Sequence, residues 1–170
     1  MPMDPTGAGP TFGCVSSDSN KPGPILFAYD GSEHAKEAIR QAGRQLRNGR
    51  AAVVVTVWQP PAALPFAPTP PSARVGLEED IEQEARRVAD EGAALARLNG
   101  FDAKAKTEGG IPTWQRIVET AQELGVSIIV MGSHGRTGIE HVLMGSVAAA
   151  TARHTELPVL IVHRPSPSGD

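Results

Sequence analysis

Nine residues, Gly132-Ser133-His134-Gly135-Arg136-Thr137-Gly138 and, further on, Gly145-Ser146, carry the most readable chemistry in this chain. They follow an apolar run, Ile128-Ile129-Val130-Met131, and lead into a helix-like run from Val147 to His154. A glycine-rich connection between a buried strand and a helix N-terminus offers bare backbone N–H groups and the positive end of a helix dipole, and both suit an anion such as phosphate. Glycine reaches φ > 0 and has no Cβ to hold a ligand off the backbone. Ser146 suits two tasks, capping the last helix and donating its hydroxyl to a phosphate. His134 and Arg136 bring groups that can screen phosphate charge, although a loop arginine is also at home in solvent. The same residues taken alone equally describe an ordinary turn-rich connection. A Walker loop is excluded, because no lysine follows Lys106, and the Gly132–Gly135 spacing is not that of the dinucleotide fingerprint.

The elements that must position this loop follow from periodicity. Ile25 to Tyr29 is a short apolar run suited to a buried strand, and Asp30-Gly31-Ser32 turns the chain. Ser32 is a good N-cap for a helix with Ala35, Ala38, Ile39, Ala42 and Leu46 on one face, stopped by Asn48-Gly49. Ala52 to Trp58 is apolar on both faces, as a central parallel strand is. Residues 59–76 hold six prolines and read as a long loop, either a lid over the site or a surface insertion. Leu77, Ile81, Ala85, Val88 and Leu95 recur at helical spacing and predict a helix from Glu78 to Leu98, ended by Asn99-Gly100. Phe101 to Thr107 suits an edge strand guarded by Lys104 and Lys106. Thr113 is placed to cap a third helix with Trp114, Ile117, Val118, Ala121 and Leu124 on its face, and Gly125 stops it. The loop strand, the last helix and a strand Val159 to Val162 complete β-α-β-α-β-α-β-α-β, which predicts an α/β fold with a parallel sheet and helices on both faces. Residues 1–23 and 165–170 read as flexible tails around a domain spanning 24–164.

The spacing Gly132-x-x-Gly135, nine residues, Gly145-Ser146 resembles the nucleotide-binding signature of the universal stress protein family. Ala28-Tyr29-Asp30-Gly31-Ser32, Glu108-Gly109-Gly110-Ile111-Pro112 and Leu157 to Val162 resemble three further stretches of that family, in the same order, so the likeness covers roughly Pro24 to His163. It implies a Rossmann-like open five-stranded sheet of order 3-2-1-4-5. In that order the winding reverses between the first and fourth strands, and ligands of open α/β sheets bind at that switch point. The resemblance further implies that Ala28, Asp30 and Val57 touch a nucleoside, Val57 mainly through its backbone, and that Met131 lies against the base. Gly132, Ser133, His134, Gly135, Arg136, Thr137, Gly138, Gly145, Ser146 and Val147 would then surround the phosphates. Read without the family, Asp30 is an Asx turn and Ala28, Val57 and Met131 are core. Ser127 stands where the family commonly has an aspartate, at the far end of the strand from the loop.

The function implied is ATP binding by a stress-response or regulatory switch, with Mg²⁺ or Mn²⁺ carried on the phosphates. The alternative is a dimeric interaction module that binds no nucleotide. A slow ATPase or autokinase is the third reading, although no lysine or paired carboxylate is placed for phosphoryl transfer and no nucleophile elbow occurs. The last strand, Val159-Leu160-Ile161-Val162, would be an apolar sheet edge; such edges pair with other chains, and the family's dimers use this strand. The five histidines show no metal-ligand spacing, and His141 and His154 read as polar surface. The 170 residues carry a net charge of −3 with no basic block, which argues against nucleic acid as the main partner. No apolar run approaches a membrane span, and Cys14 is the only cysteine. A reducing cytoplasm is the expected location.

Overall fold

The computed structural model describes residues 22–46, 49–61, 71–136 and 144–163, with 71–75 described by their backbone alone. Among these, β1 (Ile25–Ala28), α1 (Glu33–Gln45), β2 (Ala51–Trp58), α2 (Pro71–Leu98), β3 (Asp102–Gly109), α3 (Thr113–Glu123), β4 (Ile128–Gly132), α4 (Ser146–His154) and β5 (Val159–Val162) alternate along the chain. The five strands form one parallel sheet in the order β3-β2-β1-β4-β5. The expected fold class and strand order are therefore observed.

Alternation along each strand sends side chains into two layers. On one face Ile25, Phe27, Val54 and Val130 pack with Ala38, Ile39 and Ala42 of α1 and with Ala93 and Ala96 of α2. On the other face Leu26, Val55, Ile129 and Met131 pack with Ile117 and Ala121 of α3 and Ala148 of α4. β1 has two strand neighbours and helices on both faces, and its Ile25 and Leu26 have no exposed surface. Mid-helix Gly92 lets α2 lie close to the sheet, since a Cβ there would stand 2.6 Å from Tyr29 Cδ1 and 2.8 Å from Val54 Cγ1. The Tyr29 hydroxyl donates to Glu91 Oε1 at 3.0 Å and ties β1 to the same helix.

Several expected boundaries move. α2 begins at Pro71, not Glu78, so the helix starts inside the stretch read as a loop. Proline is tolerated in a first helical turn, where its missing N–H has no intrahelical partner to lose. Residues 62–70 of that stretch lie outside the described residues, as do Cys14, His141, residues 1–21 of the N-terminal tail and the C-terminal tail. Leu77 is 40 % and Leu124 37 % exposed, so neither joins the core face predicted for its helix. The cap of α3 is Pro112, not Thr113, which is the first helical residue. β3 runs two residues past Thr107, to Gly109, and Lys106 on this edge pairs with Glu108 at 2.7 Å. Ser127 sits at the opposite end of the sheet from the glycine loop, taking a hydrogen bond from Arg50 and donating to Gly23 O.

Candidate functional site

All strands of a parallel sheet point the same way, so the turns after β1, β2, β3 and β4 collect at one end. There they enclose a cleft of about 770 Å³, within the usual range for small-molecule sites. Its centre is the junction of β1 and β4, where Ala28 is the register partner of Met131. This is the point at which the order of strands reverses.

The β1 side is built by a tight turn. Asp30 Oδ1 accepts from Ser32 N at 3.0 Å, and Ser32 Oγ accepts from Ala35 N at 3.2 Å. The first is an Asx turn and the second a helix cap, so both local readings of these residues hold. The second carboxylate oxygen has a partner that the sequence does not reveal: Arg136 N donates to Asp30 Oδ2 at 3.0 Å. One side chain thus joins the turn after β1 to the loop after β4.

The β4 side is built by close approaches. A Cβ on Gly132 would lie 2.6 Å from the His34 carbonyl carbon and 2.9 Å from Ala35 N, so this glycine lets α1 settle against the end of β4. A Cβ on Gly135 would lie 2.7 Å from Asp30 Oδ2. Ser133 is 1 % exposed, its N–H donating to Val162 O at 2.8 Å and its carbonyl accepting from Gly145 N at 2.7 Å. The Ser133 hydroxyl is 3.0 Å from His134 Nδ1, and the His134 ring lies 5.3 Å from that of His34. The N-cap of α4 is Gly145 rather than Ser146, and no side chain hydrogen-bonds there; Ser146 is instead the first helical residue. The expected capping role of Ser146 is therefore not observed, because the extended cap conformation (φ −68°, ψ 155°) falls one residue earlier.

Ala28, Asp30, Val57, Met131, Gly132, Ser133, His134, Gly135, Arg136, Gly145, Ser146 and Val147 all line this one cleft. Thr137 and Gly138 lie outside the described residues. Lining residues that sequence reasoning missed form a second wall. Trp58 and Gln59 leave β2, and Ile81, Glu84 and Val88 project from α2. Ile81 and Val88 had been read as core by periodicity alone, and position at a strand's carboxyl end is the signal that could have found Trp58. Tyr29 also lines the cleft, and burial, followed by its hydrogen bond to Glu91, holds its phenol protonated well above the ordinary range.

Beside the cleft, the β3–α3 connection is closed by ions. Burial alone raises the pKa of Glu108, but hydrogen bonds from Lys106 and Arg116 outweigh it and hold the carboxyl below its ordinary value. Arg116 also reaches Glu119 at 2.6 Å. Among the described residues no group of three or more His, Cys, Asp and Glu side chains is placed to hold a metal. None of the helices among them is long and apolar enough to cross a membrane.

An open parallel sheet of this order is also what similarity to known proteins returns. The sequence pattern of the Universal stress protein family matches residues 22–163, so the chain belongs to that family. Universal stress protein MJ0531 of Methanocaldococcus jannaschii is 29% identical over 144 residues, 83% of this chain and 82% of the relative. The solved structure of hypothetical protein MJ0577, from the same organism, superposes with a TM-score of 0.72 at 27% identity, covering 86% of this chain and 99% of that one. A universal stress protein of Archaeoglobus fulgidus, solved in complex with dAMP, shares the fold (TM-score 0.55, 22% identity, 83% of this chain and 98% of that one).

Proposed function

We propose that this universal stress protein binds an adenine nucleotide, ATP in the first instance, and serves as a stress-response or regulatory switch read through the bound state. The observation that carries the reading is the convergence on one cleft of the Asp30 turn and the Gly132–Arg136 loop, tied by the Arg136 N–H to Asp30 carboxylate bond. The adenine moiety would rest between the ends of β1 and β2, against Ala28, Val57 and Met131. The phosphates would meet the backbone from Gly132 to Gly138 and the N-terminus of α4 at Gly145, Ser146 and Val147. That helix end fits an anion chemically: its first N–H groups carry the dipole's positive end and its glycine cap has no side chain to take them. Asp30 keeps acceptor capacity for a ribose hydroxyl, since a carboxylate offers about four lone-pair sites and two are engaged. Mg²⁺ or Mn²⁺ would arrive on the phosphates. The dAMP complex of a protein with this fold agrees with an adenine nucleotide as the ligand class. We also infer a homodimer formed along β5, where Val159, Leu160 and Ile161 are only half-buried at the sheet edge, in the cytoplasm.

One observation favours the second reading, an interaction module without nucleotide. Each of Gly132, Gly135 and Gly145 is close to atoms of the protein itself, so the glycines have a packing reason that needs no ligand. The deciding experiment is to purify the protein without added nucleotide, denature it, and separate the supernatant by ion exchange against nucleotide standards. Near-stoichiometric ATP is the expected result, and ADP in its place would point to slow hydrolysis. No nucleotide, followed by no uptake from ATP and Mg²⁺, overturns the proposal in favour of the interaction module. Sedimentation tests the dimer: a monomer mass at every concentration removes β5 as an interface.

A further inference from the structure

Trp58 closes β2 on the face shared with Ala52 and Val54, which pack in the α1/α2 layer. Its ring is seated by its register partner on β3. Trp58 pairs with Gly109, and a Cβ on that glycine would lie 2.7 Å from Trp58 Cζ2, 2.9 Å from Cε2 and 3.2 Å from Cη2. The backbone beneath is pinned too, Gly110 N donating to Trp58 O at 3.0 Å. The six-membered edge of the indole therefore lies directly on the backbone of the neighbouring strand, and the ring has little freedom on that side. Two aromatic residues of the Phe, Tyr and Trp kind line the cleft, and they differ in what they have left to offer. Tyr29 is 3 % exposed, with its ring against Gly92 and its hydroxyl on Glu91. Trp58 is half-buried and lines the cleft one residue beyond Val57.

Resting on the adenine-nucleotide reading, we propose that Trp58, seated over Gly109, is the stacking wall for the base and makes the cleft prefer purine over pyrimidine nucleotides. A flat indole presents a large polarisable face, and the two-ring purine covers more of it than a pyrimidine does. Trp58 is a specificity-determining residue in this account and takes no part in holding the phosphates.

The test titrates ATP and CTP into the full chain and into W58L, W58F and G109V by calorimetry. The wild type is expected to favour ATP, and W58L to lose about tenfold in ATP affinity with a smaller loss for CTP. W58F is expected to retain most of the preference, and G109V, which evicts the ring from its seat, to behave like W58L. The chain has two tryptophans, Trp58 and Trp114; in a W114F chain ATP is expected to quench the remaining emission and inorganic triphosphate to leave it unchanged. ATP binding by the wild type that W58L leaves intact overturns the wall and leaves the nucleotide reading standing. A wild type that binds neither nucleotide overturns that reading and the wall with it. Should W58L fail to fold, emission from Trp58 that saturating ATP does not change overturns the proposal on its own.

Discussion

Between β1 and α1 the chain turns in four residues, Tyr29 to Ser32, whereas between β4 and α4 it takes thirteen, Ser133 to Gly145. The short connection closes on itself: Asp30 takes the Ser32 N–H, and Ser32 takes that of Ala35. The long one ends at a helix whose cap is a glycine, which has no side chain to serve the helix's first donors. Both helix ends face the same cleft, so the difference is one of division of labour. The β1 turn is a fixed post that supplies a carboxylate, the described start of the β4 loop is tied to that post through Arg136 N, and the glycine cap of α4 offers no side chain to the helix's first N–H groups. A site for an anion needs both, a rigid edge and donors that the protein has not already spent.

The largest effect that tests this division is at the contact between the two connections. Gly132→Val places a branched side chain where the backbone of His34 and Ala35 already stands. Overpacking against backbone costs about 3 kcal/mol, so the thermal midpoint should fall by roughly 10 °C. A variant as stable as wild type would mean that α1 and β4 are not locked together. Next comes the post itself. Asp30→Ala removes two hydrogen bonds to a carboxylate, partly solvated, and should cost about 2 kcal/mol in urea denaturation. It should also release the loop, read as faster amide exchange at Arg136. Loss of stability with no change at Arg136 would separate the turn from the loop.

A direct contrast of the two helix starts follows. Ser32→Ala deletes a cap and should cost about 1 kcal/mol, whereas Ser146→Ala deletes no cap and should leave stability nearly unchanged while weakening ATP binding. Equal costs for the two serines would restore Ser146 as the cap that its residue type suggests. The β3–α3 connection closes by charge instead, which makes it sensitive to acid. Because Glu108 in the fold has a pKa below its ordinary 4.5, its stabilisation is complete above that value and fades as pH falls through the folded pKa. Glu108→Gln should therefore lower stability near neutrality by on the order of 1 kcal/mol or less and flatten the loss of stability below about pH 4.5. Parallel acid limbs for wild type and variant would remove Glu108 from the account.

The sequence made legible whatever depends on period and on local chemistry. Alternating and helical periods placed all nine elements, and Gly100 and Gly125 stop their helices with φ of 88° and 57° as their type suggests. The strand order came from the family resemblance and not from period, because period says nothing about which strand lies beside which. Four kinds of feature stayed hidden. The Asp30–Arg136 bond uses a backbone N–H, which carries no residue signature and lies 106 residues away. The true start of α2 was masked because Pro70-Pro71 looks like a loop, although proline suits a first helical turn. The glycines were read as making room for a ligand, and the structure adds that Gly132 makes room for α1 and Gly135 for Asp30. Trp58 was missed for the opposite reason: at the end of an apolar strand it looked like more core.

The smallest change is the sharpest for the comparison. Gly145→Ser would give α4 the kind of side-chain cap that α1 already has. The backbone there, φ −68° and ψ 155°, suits serine as well as glycine. A Cβ would approach Ser133 O to 3.1 Å, a contact that asks its neighbour to give by a few tenths of an ångström. Serine exceeds glycine as a cap by only a few tenths of a kcal/mol, so gain and crowding should nearly cancel and the unfolding midpoint should barely move. Ligand binding should respond differently. The new hydroxyl would occupy an N–H of the first turn that a phosphate is otherwise free to take, and ATP affinity should fall although stability does not. If calorimetry finds ATP held as tightly by the variant as by wild type, the open end of α4 is not where the phosphates sit, and the two connections differ only in length.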